Sequence, residues 1–200
     1  MNRLMIAMVV LISITACKKD IEYQTSFKKS KKTWHKFKAS SNNSYRFEVV
    51  DASWAGSSWK TNIRVVGGVA VERKFEYVVF MGVANGGGEW TDIKQQEILT
   101  KMNMTAAQFK TERGKDLIEF LEWTETGARV GTQALTSASN YLTLDEVYDK
   151  AENYWLKKRS GMTTYFEAKN NGMISSCGFF DKNCADDCSQ GIGITLIEAL

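Results

Sequence analysis

Apolar and polar positions alternate most clearly over Ser44–Trp54, where Tyr45, Phe47 and Val49 share one side. Period two is the signature of a half-buried strand. Thr61–Val66 and Val69–Tyr77 flank Gly67-Gly68, which predicts a two-residue hairpin because both turn positions need positive φ. Asn170-Asn171-Gly172 sits in the same way between Met162–Lys169 and Met173–Phe180, and Gly191–Leu200 supplies a last strand. Helical spacing appears twice. Trp34 and Phe37 share a face over Ser30–Ala39, and Leu144, Val147, Tyr148, Ala151 and Trp155 repeat after Thr143. Thr143-Leu144-Asp145-Glu146 is a capping box: the Thr hydroxyl accepts a free amide and Glu146 reaches back. Lys157, Lys158 and Arg159 suit the end of that helix, with Gly161 closing it.

Residues 82–115 interrupt the pattern. After Asn85-Gly86-Gly87-Gly88 come helix-forming pieces at Asp92–Lys101 and Thr105–Arg113, read as an excursion from the main domain. Leu117–Trp123 reads as a strand and 127–140 as loop. The sum is an α+β domain over residues 30–200: an antiparallel sheet of hairpins with two or three helices packed on one face.

The start of the chain has a different character. Arg3, the apolar run Leu4–Ile14 and Ile14-Thr15-Ala16-Cys17 follow the order of a secretory leader. The run is too short to span a bilayer. Its ending resembles a bacterial lipobox, which implies cleavage after Ala16, diacylglycerol on Cys17, residues 1–16 as signal peptide and residues 17–29 as lipidated tether. Two or more acyl chains anchor a protein stably. Lys18 in place of Asp is similar to outer-membrane sorting in Gram-negative bacteria. Lys18-Lys19-Asp20 resembles the start of Bacteroidetes-type lipoproteins, many of them surface-exposed. Lys28, Lys29, Lys31, Lys32, Lys36 and Lys38 follow. Such a run beside an anchor can touch anionic headgroups; the reading favoured from sequence is a solvated tether entering an amphipathic helix.

Composition narrows the function. The 200 residues include 26 basic and 23 acidic side chains, a balance that argues against a strongly basic nucleic-acid binder. There is no proline and a single histidine, His35, which excludes polyproline docking segments and multi-histidine metal sites. His35 has no nucleophile at a supporting spacing and reads as a surface residue. Cys177, Cys184 and Cys188 enter an oxidising compartment in an exported chain, so one disulfide is expected, with all three pairings open and the odd thiol available for an intermolecular link. Asp181, Asn183, Asp186 and Asp187 offer oxygen ligands, but Ala185 and Asp186 occupy positions where a calcium loop needs a ligand and Gly. They read as a polar turn, with calcium as the sharper alternative and no cofactor expected. Asp145/Glu146 and Asp186/Asp187 are the carboxylate pairs open to a hydrolase, though caps explain the first. Trp54 and Trp59 flank the Gly56-Ser57-Ser58 turn and are the candidate ligand-binding aromatics.

Trp34 ahead of Ser44-Tyr45-Arg46-Phe47, the hairpin ending in Gly67-Gly68-Val69, Thr143–Asp149, Asn170–Ile174 and Asp181–Asp187 together resemble a bacterial lipoprotein family known as a domain of unknown function. The resemblance spans most of residues 30–200. It implies the α+β fold and a secreted or lipid-anchored location, and it brings no activity and no catalytic residues. The 82–115 excursion is longer than that family leads one to expect. The expectation is therefore a lipid-anchored envelope protein, periplasmic or surface-facing, that binds a protein or another envelope component without catalysis. A surface glycan-binding accessory protein and a carboxylate-dependent hydrolase are the alternatives.

Overall fold

The computed structural model describes residues 21–133, 136–184 and 188–200. Cys17 and the leader, with Lys18 and Lys19, lie outside the described residues, as do Asp186 and Asp187. The elements run α1 (Gln24–Ser40), β1 (Tyr45–Ala52), β2 (Ser58–Val66), β3 (Val69–Phe80), β4 (Val83–Ala84), α2 (Asp92–Lys101), α3 (Ala106–Arg113), α4 (Leu117–Leu121), β5 (Glu122–Thr126), α5 (Leu144–Lys150), β6 (Met162–Glu167), β7 (Ser176–Asp181) and β8 (Gln190–Ala199). The strands form one antiparallel sheet in the order β4-β3-β2-β1-β8-β7-β6, with β5 beside β4 on the outer edge of β3. The chain is α+β, as its hydrophobic pattern predicts.

Register puts Tyr45, Phe47 and Val49 opposite Val65, Ile63 and Thr61, and opposite Ala199, Ile197 and Ile194. The apolar positions of successive strands therefore land on the same face, and that face is buried. All the helices among the described residues pack against it, in two clusters. One joins Phe27 and Trp34 of α1 with Val147 and Tyr148 of α5 over β1, β2, β7 and β8. The other joins Ile98, Phe109 and Leu121 of α2–α4 with Phe75 and Tyr77 of β3. The opposite face is polar: Lys60 bridges Glu48 and Glu76, and Arg46 pairs with Glu198.

The chain departs from its sequence pattern in four places. Helix α1 begins at Gln24, inside the expected tether, because Phe27, Ser30 and Trp34 form one buried stripe that Ser30 disguises. Leu117–Leu121 is a helix instead of a strand: Glu119 accepts the Asp116 N–H, and Leu117 and Leu121 bury one turn apart. Five α-helices among the described residues pack on the sheet face where two or three were expected, because the helical pieces of the excursion, α2 and α3, and the unforeseen α4 join α1 and α5 there. Helix α5 ends at Lys150 in a π-turn, where Leu156 N–H reaches the Ala151 carbonyl at 3.0 Å. Lys157 instead bridges to Ile21, and Glu22 N–H donates to the Leu156 carbonyl, so the chain start is tied to this turn.

Candidate functional site

Strand β1 pairs with β8 only from Tyr45 to Val49, with an irregularity between Glu48 and Val49. Beyond that point β1 continues with β2 alone to Ala52, while β8 pairs with β7 from Gly193 back to Gln190. The sheet forks there. A bulge re-aims a strand and often ends pairing in this way. A cavity of about 410 Å³ occupies the fork. Val50 and Asp51 line one branch and Gly191, Ile192 and Gly193 the other. Trp59 and Thr61 come from the core face, Tyr165 and Ser176 from the opposite face, and Ser137–Asn140 and Ser189 complete the wall.

The 137–140 segment is held by groups buried beneath it. Arg73 and Glu125 face each other across β3 and β5, at 4% and 2% exposure, with Nη1 3.3 Å from Oε2. Arg73 also donates to the carbonyls of Ser139 (3.0 Å) and Ala138 (3.4 Å) and lies over the Trp123 ring. Ser139 N–H donates to Thr61 Oγ1 at 2.9 Å, and the Tyr77 and Ser137 hydroxyls meet at 3.0 Å. Glu125 accepts the backbone N–H groups of Gly131 and Gln133 and the Thr132 hydroxyl. Burial pulls its carboxyl pKa upward, but these amides, Arg73 and Thr132 together outweigh it and leave the group below the ordinary carboxylate range.

Tyr165 lies across the outer side of the fork. A Cβ placed on Gly178 or Gly191 would fall 2.4 Å from its hydroxyl oxygen, so these two strands carry glycine where the ring passes. Burial, then the neighbouring Cys177 and Asp51, push the phenol above its usual pKa. Asp51 is the one carboxylate among the groove's described lining residues, and none of them is basic. The rest of the lining mixes hydroxyl, amide, glycine and aromatic groups with the aliphatic Val49, Val50, Ala138 and Ile192. Such a surface matches an uncharged ligand rich in hydroxyl groups, with rings for apolar faces and short side chains for hydrogen bonds.

Of the sequence-predicted residues, Trp59 lines this groove and is half-buried against Tyr77. Trp54 is 75% exposed in the β1–β2 turn, outside the lining. Cys184 and Cys188 form the disulfide. Cys177 is the odd thiol, but it is wholly buried in β7 and burial pushes it up to about 12, so it is not placed for an intermolecular link. Asp181 Oδ1 accepts the Asn183 N–H at 2.9 Å in a local turn. No group of three or more His, Cys, Asp or Glu side chains suited to a metal occurs among the described residues. Asp145 holds Trp34 Nε1 and Lys38, and Glu146 completes its capping box, so this pair belongs to the α1–α5 contact. His35 is exposed on α1. Sequence reasoning missed Arg73, Glu125 and the 137–140 wall. The one available signal was two charged residues in inward register with Phe75 and Trp123.

No helix among the described residues is long and apolar enough to cross a membrane. The chain matches no protein-family model, no curated protein and no solved structure.

Proposed function

We propose that this protein is a lipid-anchored component of the bacterial cell envelope that works by binding, without catalysis, and that the fork in its sheet is the binding site. The anchor reading rests on the lipobox-like Ile14-Thr15-Ala16-Cys17 after a short apolar run. The observation that carries the binding reading is the groove itself: about 410 Å³, lined by hydroxyls, aromatic rings and aliphatic side chains, with a wall held by the buried Arg73. Pre-set walls reduce the ordering cost of binding. A hydrolase acting through two carboxylates needs an acid and a base flanking one bond, and Asp51 has no carboxylate partner in the described lining.

The same lining favours a glycan over a protein surface as the ligand. Trp59 and Tyr165 offer rings to the apolar face of a sugar, and Ser139, Asn140, Ser176 and Ser189 offer short polar groups. The experiment is a panel of neutral oligosaccharides followed by tryptophan fluorescence and melting temperature. A response present in Trp54→Phe and lost in Trp59→Ala supports the reading. Unchanged signals across the panel sink the glycan assignment. Turnover of a panel member that Asp51→Asn abolishes in a folded protein makes it an enzyme.

A further inference from the structure

We infer that the outward face of α1 is an electrostatic docking surface for anionic lipid. Its 17 residues contain six lysines and His35, with no acidic residue. Residues 41–200 carry 17 basic and 21 acidic side chains, a net −4. The positive charge of the domain is therefore gathered on one element.

The fold sorts these lysines into two groups. Lys31 and Lys38 flank the buried stripe and are neutralised by Glu152 and Asp145. Lys28, Lys29, Lys32 and Lys36 make no ion pair among the described residues and are exposed, with His35 between them. At about 100° per residue these five positions fall within an arc of about 120°, opposite Phe27, Ser30 and Trp34. Thr25 and Ala39 extend the same face, so it offers charge and no large apolar group. What the sequence presents as a solvated tether is thus the polar side of a packed helix.

The chemistry favours a lipid surface over a defined phosphate site. The cations on α1 are all lysine, hydrated point charges, with none of the arginine forks that grip a single phosphate. A row of point charges suits a diffuse layer of headgroups, where each contributes about a fivefold gain in partitioning. Six residues separate Cys17 from Gln24, so a fully extended segment reaches at most about 25 Å. An acyl group on Cys17 would hold α1 within that distance of the bilayer, and the acidic remainder of the domain would turn away. Neither the anchor nor the groove is needed for this docking, and Cys17→Ser removes the anchor's contribution.

The test uses residues 17–200 carrying Cys17→Ser, so that no acyl chain contributes, with vesicles of phosphatidylcholine alone or with roughly one-third phosphatidylglycerol. At low ionic strength the protein is expected to sediment with the anionic vesicles only, and to be released near ~1 M salt, where screening is complete within about 3 Å. Lys28→Gln, Lys29→Gln, Lys32→Gln and Lys36→Gln combined should weaken partitioning on the order of 100-fold or more, with an unchanged melting temperature. The same number of changes at Lys74, Lys101, Lys169 and Lys182 should leave it nearly intact. Equal partitioning onto neutral vesicles, equal loss in the two quadruple variants, or tighter retention on duplex DNA than on anionic vesicles would each overturn the inference.

Discussion

Arg73 and Glu125 pair across β3 and β5, nearly shut off from bulk water; Arg73 also holds the 138–139 wall of the groove, and Glu125 holds residues 131–133. Buried ion pairs gain stability only when their remaining donors and acceptors are met. Here the guanidinium meets Glu125, two carbonyls and the Trp123 ring, and the carboxylate meets two amides and a hydroxyl. Arg73→Ala leaves Glu125 buried without its countercharge and should cost about 3–5 kcal/mol in urea unfolding.

The same pair sets an acid limb of stability. The folded Glu125 carboxyl sits below its ordinary range, so its contribution is complete above the unfolded pKa of about 4.3 and is lost as pH falls through the folded value. Glu125→Gln should flatten that limb in melting temperatures measured between pH 6 and pH 3, both roughly chosen to bracket a carboxylate titration. An unchanged slope would place the acid sensitivity elsewhere.

Tyr148 carries three contacts on one hydroxyl. It meets Ser30 Oγ at 2.8 Å, donates toward the Ser30 carbonyl and accepts Ile174 N–H at 3.1 Å, while its ring stacks on Trp34. Tyr148→Phe keeps the stack and strands the Ile174 amide, so it should cost about 1–3 kcal/mol. Tyr154→Phe, which loses a more exposed bond to Gln190, should cost less and serves as the comparison.

Cys177 should resist thiol reagents in the folded protein, since its thiol is buried and titrates at about 12. With Cys17→Ser in place and the Cys184–Cys188 disulfide intact, denaturant should release one reactive thiol per chain. Rapid labelling before unfolding would show that β7 opens locally.

Gly191→Ala puts a Cβ 2.3 Å from the Cys177 carbonyl oxygen and 2.4 Å from the Tyr165 hydroxyl. Overpacking of this kind typically costs about 1–3 kcal/mol. Adding Tyr165→Ala should recover only part of the loss, because the backbone contact persists. Gly88→Ala, which like Gly191 has no left-handed φ but meets only one ordinary contact at 3.9 Å, provides the control.

Local chemistry made the hairpins and caps readable in advance. Gly67 and Gly68 adopt φ of 57° and 86°, as a two-glycine turn requires. Thr143 and Glu146 close the capping box, and α5 starts where that signal stands. Where the reading failed, distant partners decided. Leu117–Leu121 has the residues of a strand, yet its apolar side chains meet α3 and β3, which a one-turn helix permits. Ser30 breaks the apolar stripe of α1 on paper, but its hydroxyl is satisfied by Tyr148, 118 residues away. The groove was hardest to foresee, because it depends on where two strands stop pairing. Trp59 was visible as an aromatic beside a turn, whereas the serines around it carry no pattern of their own.

The position of β8 bears on the order in which the protein can be built. It is the last strand of the chain, and it lies in the middle of the sheet between β1 and β7. A ribosome adding about 5–20 residues per second takes about 7–30 s to pass from Tyr45 of β1 to Gln190 of β8. During that time the β1–β2–β3 meander can form locally, but its β1 edge has no permanent partner. Closing it joins Tyr45 to Ala199, a long-range step of the kind that slows folding. Until β8 emerges, the nascent chain presents an open strand edge, and a chain cut short before it would keep that edge.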